Sequence, residues 1–300
     1  EANIFSDEAV ARRLVVEHVP LWAGLPIRRL LSSGTDNALY RLGDDLLLRF
    51  PSRESAVQSM RKELEWLPFL ADLPLIVPHV RFRGRADIGV MCDFAVVDWL
   101  EGEDAFPDNI DDPVEAARDL AGFLKALHAK GTKGAPLADR RGAALETLSS
   151  AVLPAIDVLA DEIDAGAARE LWHSACAAAF RGGSVWLHGD LKADNLIASG
   201  GRLRAVIDWG LCAVGDPAVD YAAAWTWVEA SARDIFCDAC ELVAEDRLRA
   251  KGWALYSAVI ALSYYRDRGS HDALCSQSRR TLAHLELSIG TPCADSIRGR

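Results

Sequence analysis

Residues 186–197 read WLHGDLKADNLI and residues 206–210 read VIDWG. In each stretch an apolar run typical of a buried strand leads directly into polar residues. The first stretch presents Asp190 and Asn195, and the second presents Asp208. Transfer of a phosphoryl group requires an acceptor for the attacking hydroxyl's proton and oxygen ligands that hold Mg²⁺ against the phosphates. Two carboxylates and an amide at the ends of neighbouring strands can supply both, because Mg²⁺ prefers oxygen ligands.

A third motif, GDPAVD, follows at residues 215–220. The three motifs, in this order, resemble the aminoglycoside phosphotransferase family, whose members are relatives of the eukaryotic protein kinases. The resemblance covers residues 30–227. It implies an α+β, bilobal, protein-kinase-like fold in which a small β-rich N-lobe and a larger helical C-lobe enclose ATP or GTP and Mg²⁺. The implied activity is transfer of the γ-phosphate to a hydroxyl of a small molecule.

The same resemblance assigns roles to the motif residues. Asp190 is expected to be the catalytic base, and Asn195 and Asp208 the Mg²⁺ ligands. His188 is expected to brace the loop, and Asp220 to anchor its backbone. The alternative is that these polar residues only form turns and strand ends. That alternative does not explain why the motifs occur together after an N-terminal β unit.

The first hundred residues predict that unit. Apolar runs separated by turn residues indicate strands at 27–31, 38–42, 46–50, 80–85 and 94–100, with a helix at 53–70. The family's phosphate-covering loop lies between its first two strands. Here that segment includes Ser33, Gly34 and Thr35, whose small side chains would let backbone N–H groups approach phosphate oxygens.

The third predicted strand carries Arg49 at the position where the kinases have a phosphate-binding lysine. An arginine keeps the positive charge and can bind phosphate with two N–H groups, although its geometry differs. Glu63 on the next helix is expected to pair with it, with Glu65 as a near alternative. By position, the carbonyl of Asp98 and the amide of Leu100 are expected to contact a purine edge.

The acidic, turn-rich residues 101–113 mark the expected boundary between an N-terminal nucleotide-binding lobe, residues 1–102, and a C-terminal catalytic and substrate-binding lobe, residues 103–300. Alanine-rich helical segments are predicted to continue to about residue 180. A β-rich insert at 184–207 carries the motifs, and helices resume at residue 218. Lys192, inside the first motif, either contacts the transferred phosphate or is an ordinary exposed lysine.

The formal net charge is −11, which argues against a nucleic-acid-binding protein. No apolar run is long enough to cross a membrane, and the N-terminus does not resemble a signal peptide, so we expect a cytoplasmic protein. Seven irregularly spaced cysteines favour free thiols. Cys237 and Cys240 have a C-x-x-C spacing that could suit zinc, but no second pair accompanies them, and buried, inert thiols are the better interpretation.

The acceptor is the least determined part. Residues 103–300 carry a net charge of −8, which suits a cationic acceptor such as an aminoglycoside-like amino sugar. Glu229 is the favoured candidate to hold its ammonium groups. Two alternatives remain: a macrolide or a metabolite such as choline or homoserine as acceptor, and a pseudokinase that only binds nucleotide. Six aromatic residues could line an apolar pocket or pack in the core: Trp225, Trp227, Trp253, Tyr256, Tyr264 and Tyr265.

Overall fold

The N-terminal part of the chain is an antiparallel sheet flanked by two helices. The structure, a computed structural model, describes residues 7–30, 36–268 and 272–289. The first elements are α1 (Glu8–His18), β1 (Ile27–Leu30), β2 (Asn37–Leu42), β3 (Leu46–Pro51), α2 (Val57–Leu70), β4 (Val80–Asp87) and β5 (Met91–Asp98). The strands lie in the order β1-β2-β3-β5-β4, with every neighbouring pair antiparallel. The predicted β-rich unit is confirmed.

Alternation of side chains along β2 and β3 explains how this sheet holds a charged residue. Tyr40, Leu48 and Phe50 are fully buried and pack towards α1, with the rings of Tyr40 and Phe50 stacked at 5.7 Å between centroids. Because successive side chains of a strand point to opposite faces, Arg49 lies on the other face, towards α2. The strand therefore presents its one arginine to the interior of the molecule, where Glu63 lies.

The rest of the chain is mainly helical. Its elements are β6 (Glu103–Asp104), α3 (Pro113–His128), α4 (Ser149–Val158), α5 (Ala165–Ala177), β7 (Val185–Leu187), β8 (Leu196–Ser199), β9 (Arg202–Val206), β10 (Ala213–Gly215), α6 (Ala218–Tyr221), α7 (Ala223–Thr226), α8 (Arg233–Ala239), α9 (Ala244–Tyr265) and α10 (Asp272–His284). β6, β8 and β9 form one small sheet, and β7 pairs with β10 in another. The predicted β-rich insert among helices is present.

The prediction of helix up to residue 180 is wrong for residues 129–144, which form an irregular loop. Glycines and a proline occur in this loop, and Gly134 and Gly142 adopt positive φ angles of 79° and 91°. Such conformations do not continue a helix. The loop passes close to the end of β7 and carries Arg141 to the motif region.

A large hydrophobic core lies between the helices of the second part, with Trp172, Trp186 and Trp253 fully buried in it. The end of α2 contributes Leu67 and Leu70 to this same core. The strand β6, directly after Gly102, pairs with β8. These contacts are compatible with a division at residue 102, which stays a prediction.

All six cysteines in the described part of the chain are free. Cys237 and Cys240 are buried, and burial raises the pKa of the Cys240 thiol to about 12, so it stays protonated at neutral pH. Across the described residues, no helix is both long and apolar enough to cross a bilayer.

Candidate active site

The side chain of Asp220 anchors the loop between β7 and β8. The two carboxylate oxygens of Asp220 accept hydrogen bonds from the backbone amides of His188 and Gly189, each at 2.8 Å. Gly189 has a φ of 85°, and a Cβ at this position would lie 3.1 Å from the carbonyl oxygen of Leu211. Glycine therefore allows the chain to turn here without a clash. Burial raises the pKa of Asp220, whereas His188 and the two N–H groups act in the opposite direction.

His188 joins the two strand ends that carry the motifs. Its Nδ1 accepts the backbone amide of Asp190 at 3.2 Å, so its Nε2 is the atom that donates to the carbonyl oxygen of Ile207 at 2.9 Å. The imidazole is fully buried and lies edge-on to the ring of Trp209 at 4.8 Å. Asp190 and Asp208 are therefore tied to one rigid support.

Asn195 fixes the conformation of the loop around Asp190. Its side-chain nitrogen donates to the backbone carbonyl of Asp190 at 2.8 Å and to the carboxylate Oδ2 at 3.0 Å. Because the nitrogen makes both contacts, the amide oxygen is the atom directed elsewhere. Asp208 follows β9 in a left-handed conformation, with φ 63° and ψ 70°, and lines the same cleft as Asn195.

Two cations flank the carboxylate of Asp190. Arg141 Nη2 lies 3.5 Å from Oδ1, and Lys192 Nζ lies 3.6 Å from Oδ2 and 3.2 Å from Asp194 Oδ2. Burial by itself raises the pKa of Asp190, but Arg141 and then Lys192 outweigh it and the pKa lies below its usual value. Asp190 is thus a carboxylate at neutral pH that can accept a hydrogen bond from a hydroxyl group.

Arg49 and Glu63 form a buried ion pair between β3 and α2. The two contacts are 2.6 and 3.0 Å long, in the side-by-side arrangement that suits a guanidinium and a carboxylate. Burial raises the pKa of Glu63, although Arg49 acts in the opposite direction. The pKa of Arg49 is also raised, because the effect of Glu63 outweighs that of burial. We infer the ionised pair from its geometry. Glu65, the alternative partner, is exposed.

Helix α2 is also attached to the turn after β9. Ser59 Oγ donates to the backbone carbonyl of Gly210 at 2.9 Å, and the backbone amide of Trp209 hydrogen-bonds Glu63. The helix that positions Arg49 is therefore linked to the segment that positions Asp208. These contacts fix the position of Arg49 relative to Asp208.

One cleft of about 540 Å³ brings most of the predicted residues together. It is lined by Arg49, Asp98, Leu100, Asp190, Lys192, Asn195 and Asp208. At its back, the amide of Trp99 donates to the carbonyl of Asp45 at 2.8 Å, whereas that of Leu100 donates to no backbone carbonyl of the described residues. The contact of the Leu100 amide with a purine edge stays a prediction.

A second cavity of about 550 Å³, which we call the apolar pocket, is lined by Arg141. Its walls come from α4, α9 and the loop at Arg141, and include Pro154, Val158, Tyr256, Ile260, Tyr264 and Tyr265. Tyr265 also lines the first cleft. The two cavities therefore share a wall, and Arg141 spans from the apolar pocket to the carboxylate of Asp190.

Three sets of predicted residues remain: the phosphate-covering loop, Glu229 and the six aromatic residues. Ser33, Gly34 and Thr35 lie outside the described residues. Glu229 forms an ion pair with Arg280 in α10 and is not among the residues that line either cavity. Among the six aromatic residues, Trp225, Trp227 and Trp253 are buried in the core, whereas the three tyrosines line the apolar pocket.

Sequence reasoning missed Arg141 and Ser59. Arg141 follows an equally basic neighbour in an irregular loop, and no local pattern distinguishes the two. Ser59 resembles any polar residue on a helix. The buried residues Met60, Leu64 and Leu67 recur at spacings of three and four and mark the buried side of α2. They do not show that the hydroxyl of Ser59 reaches Gly210.

Comparison with known proteins decides the family. The model of the phosphotransferase enzyme family matches residues 28–262. The chain belongs to this family. It is a phosphotransferase that acts on hydroxyl groups, and the prediction of such an enzyme is confirmed. The search of curated proteins returned no match to this phosphotransferase.

Solved structures share the fold of this phosphotransferase. The GDP complex of wild-type aminoglycoside 2′-phosphotransferase-IIIa has a TM-score of 0.67 at 18% identity, covering 93% of this chain and 98% of that one. The streptomycin–ATP–APH(2″)-IIa ternary complex has a TM-score of 0.60 at 21% identity, covering 85% and 91%. Macrolide 2′-phosphotransferase MphH from Brachybacterium faecium has 0.61 at 22%, covering 91% and 97%. The predicted bilobal protein-kinase-like fold is confirmed.

Proposed function

We propose that this phosphotransferase transfers the γ-phosphate of ATP or GTP to a hydroxyl group of a small molecule with a largely apolar body. The observation that carries the proposal is the contact between Arg141, which lines the apolar pocket, and Asp190, which lines the polar cleft. A hydroxyl bound beside Arg141 would lie close to this carboxylate. The phosphates would approach the same carboxylate from the cleft.

In this proposal each side of the cleft has a separate task. Asp190 orients the attacking hydroxyl and accepts its proton. Arg49, oriented by Glu63, contacts the phosphates, and Lys192 contacts the transferred phosphoryl group. Asp98 and Leu100 bind the purine edge through their backbones. His188 and Asp220 support the loop and do not touch a substrate, and Ser33, Gly34 and Thr35 are proposed to cover the phosphates.

The residues present fit Mg²⁺. Asn195 uses its nitrogen towards Asp190, so its oxygen is available, and Asp208 supplies a carboxylate in the same cleft. No three His, Cys, Asp or Glu side chains within the described residues form a metal-binding cluster. Mg²⁺ does not require one, since it usually binds one or two protein oxygens and completes its shell with water and substrate phosphates. Bound there, Mg²⁺ would neutralise charge on the phosphates.

The apolar pocket supports an acceptor with an extended apolar surface. Its aromatic and aliphatic walls favour burial of hydrocarbon, and its volume suits a compound of moderate size. A macrolide has an extended apolar surface of this kind, together with a basic amino sugar. The pairing of Glu229 with Arg280 leaves that carboxylate less suited to an ammonium group.

An aminoglycoside-like amino sugar is the second candidate. The net charge of −8 over residues 103–300 favours attraction of a cationic acceptor. A pseudokinase has less support, because the ion pair of Arg49 with Glu63 shows that arginine can form the pairing in which the kinases use lysine. We place the reaction in the cytoplasm, where nucleoside triphosphates are available.

The test is phosphoryl transfer from ATP and GTP labelled at the γ-position to a panel of neutral, macrolide and aminoglycoside alcohols. We expect labelled product with an apolar alcohol and none with Asp190→Ala. Nucleotide binding measured in parallel distinguishes a pseudokinase, which would bind nucleotide and phosphorylate no compound. Faster transfer to aminoglycosides than to every apolar alcohol would favour the second candidate.

A further inference from the structure

The charge distribution around the apolar pocket restricts the acceptor further. All residues that line this pocket belong to the described part of the chain, and Arg141 alone among them carries a formal charge at neutral pH. A wall without carboxylates offers an ammonium group no ion-pair partner. The restriction rests on the proposed function, in which the pocket receives the acceptor.

Arg141 is held in place by three separate contacts. Its Nη1 donates to Ser257 Oγ at 3.0 Å, its Nη2 lies 3.5 Å from Asp190 Oδ1, and its guanidinium lies 5.2 Å from the centre of the Tyr256 ring. Ser257 and Tyr256 belong to α9 and line the pocket as well. The cation is thus fixed between the pocket that it lines and the carboxylate of Asp190.

The carboxylate of Asp190 is already engaged by cations. Arg141 contacts it at 3.5 Å and Lys192 at 3.6 Å. Asp194, the next acid, is 3.2 Å from Lys192 and lines the nucleotide cleft rather than the pocket. The carboxylate of Asp190 therefore attracts an ammonium group of the acceptor less strongly than a carboxylate without cationic partners would.

Acidic residues next to the pocket along the chain are also engaged. Asp161 and Glu162, just after α4, contact Arg266 at 2.7 and 3.4 Å, and Glu162 also contacts Arg279 at 2.7 Å. These exposed pairs are weak, but each reduces the attraction that the acid exerts on another cation.

We propose that Arg141 is a specificity-determining residue, which selects acceptors without an ammonium group beside the reacting hydroxyl. Arg141 lines the pocket, and its remaining N–H groups can donate to neutral oxygen atoms, such as a second hydroxyl, an ether or a carbonyl of the acceptor. An ammonium group in the same place would meet the like charge of Arg141, and the nearby Asp190 carboxylate is already shared by two cations, so such a contact is unfavourable. The selected class is a neutral, oxygen-bearing alcohol with an apolar body.

A matched pair of probes tests this proposal: octyl β-D-glucoside and octyl 2-amino-2-deoxy-β-D-glucoside. They share the apolar chain and the sugar ring and differ by one ammonium group. We expect the neutral probe to bind the ADP-loaded enzyme about 10-fold or more tightly than the amino probe, and to show the same preference in kcat/KM. Arg141→Gln should bring the ratio close to one, mainly by improving the affinity for the amino probe.

Two variants control for general damage. Arg140→Gln removes the same charge from the exposed neighbouring residue and should leave the ratio unchanged. Arg141→Lys keeps the charge and should retain most of the discrimination, which a purely structural role of the side chain would not predict. Thermal unfolding and the nucleotide Kd of each variant identify any that fails to fold.

Each result of the probe experiment supports or overturns either the role of Arg141 or the proposed function. An amino probe that binds the wild-type enzyme as well as the neutral one, an unchanged ratio in Arg141→Gln, or no binding of either probe overturns the role of Arg141. Binding with the expected ratio but without phosphoryl transfer supports Arg141 and counts against transfer to this class of acceptor. Failure of the enzyme to bind nucleotide would instead overturn the proposed function itself.

Discussion

The proposed nucleotide cleft and the apolar pocket share Tyr265 and are linked by the contact between Asp190 and Arg141, yet they consist of opposite chemistry. The cleft is lined by charged side chains that contact one another, such as Arg49 with Glu63 behind it. The pocket is lined by aromatic and aliphatic groups with a single cation at its mouth. Phosphate chemistry requires particular charges at particular places, whereas an apolar pocket requires only shape, so the first region can be recognised from motifs and the second cannot.

The largest effect is expected at the junction of the two regions. Asp190→Ala should lower kcat by about 10²–10⁴-fold, as loss of a general base does, and leave the nucleotide Kd nearly unchanged. Steady-state and nucleotide-binding measurements check this. Asp139→Ala, which removes an exposed carboxylate from the loop before Arg141, is the control and should retain full activity. Near wild-type turnover in Asp190→Ala would remove this residue from the mechanism.

The second prediction concerns the cleft. Arg49→Ala leaves the Glu63 carboxylate buried without its partner, which should lower the free energy of unfolding by about 3–5 kcal/mol. The nucleotide KM should also rise, and Glu63→Gln should raise it less because the arginine keeps its charge. Denaturant unfolding and kinetics measure the two effects. Arg12→Ala, which breaks the exposed pair with Glu8, should change neither quantity.

If the Arg49→Ala variant has the stability and the nucleotide affinity of the wild type, Arg49 is not the phosphate-binding residue. A loss of stability with normal nucleotide binding would limit the pair to a structural role.

The third prediction separates the metal from the nucleotide. Asn195→Ala and Asp208→Ala should weaken Mg²⁺-dependent nucleotide binding by about 10-fold or more, since each removes an oxygen ligand. Calorimetric titration with and without Mg²⁺ measures this, and binding without the metal should change much less. Identical Mg²⁺ titrations for both variants and the wild type would contradict these two ligands.

The fourth prediction perturbs only the pocket. Ala261→Phe places a ring in the wall of the apolar pocket and should lower kcat/KM for the acceptor by about 10-fold, while the nucleotide KM stays constant. Ala244→Phe, at the exposed first residue of the same helix, is the matched control. An acceptor that tolerates the added ring would not occupy this pocket.

The smallest effect is expected from salt. Exposed charge pairs are screened over about 8–10 Å at physiological ionic strength, but burial of apolar surface is not. The KM for a neutral, apolar acceptor should therefore change by less than about twofold between low and physiological salt. A steep rise of the acceptor KM with salt would favour the cationic amino sugar.

Prediction from sequence succeeded where residues follow one another closely. The spacing from Asp190 to Asn195, and the strand that ends at Asp208, indicated one site, and the structure places all three residues in one cleft. Glu63 and Glu65 could not be separated by spacing alone. The packing of α2 decides between them, because only Glu63 faces Arg49.

Prediction was less successful away from the motifs. Helical segments were expected to continue to about residue 180, but residues 129–144 form a loop whose glycines adopt conformations that a helix does not allow. The binding of a cationic acceptor by Glu229 stays a prediction, and the described structure pairs this carboxylate with Arg280. Local composition carries no information about a partner so distant in the chain.

The sequence by itself determined the chemistry: which carboxylates and amides occur, in which order, and hence the reaction class. Local spacing fixes these because a short loop between two strands leaves few positions for its side chains. Only the tertiary structure decided what surrounds Asp190, since Arg141 comes from a distant loop and Tyr256 and Ser257 from α9. These residues meet because their elements pack around a common core, and the choice of acceptor depends on that packing.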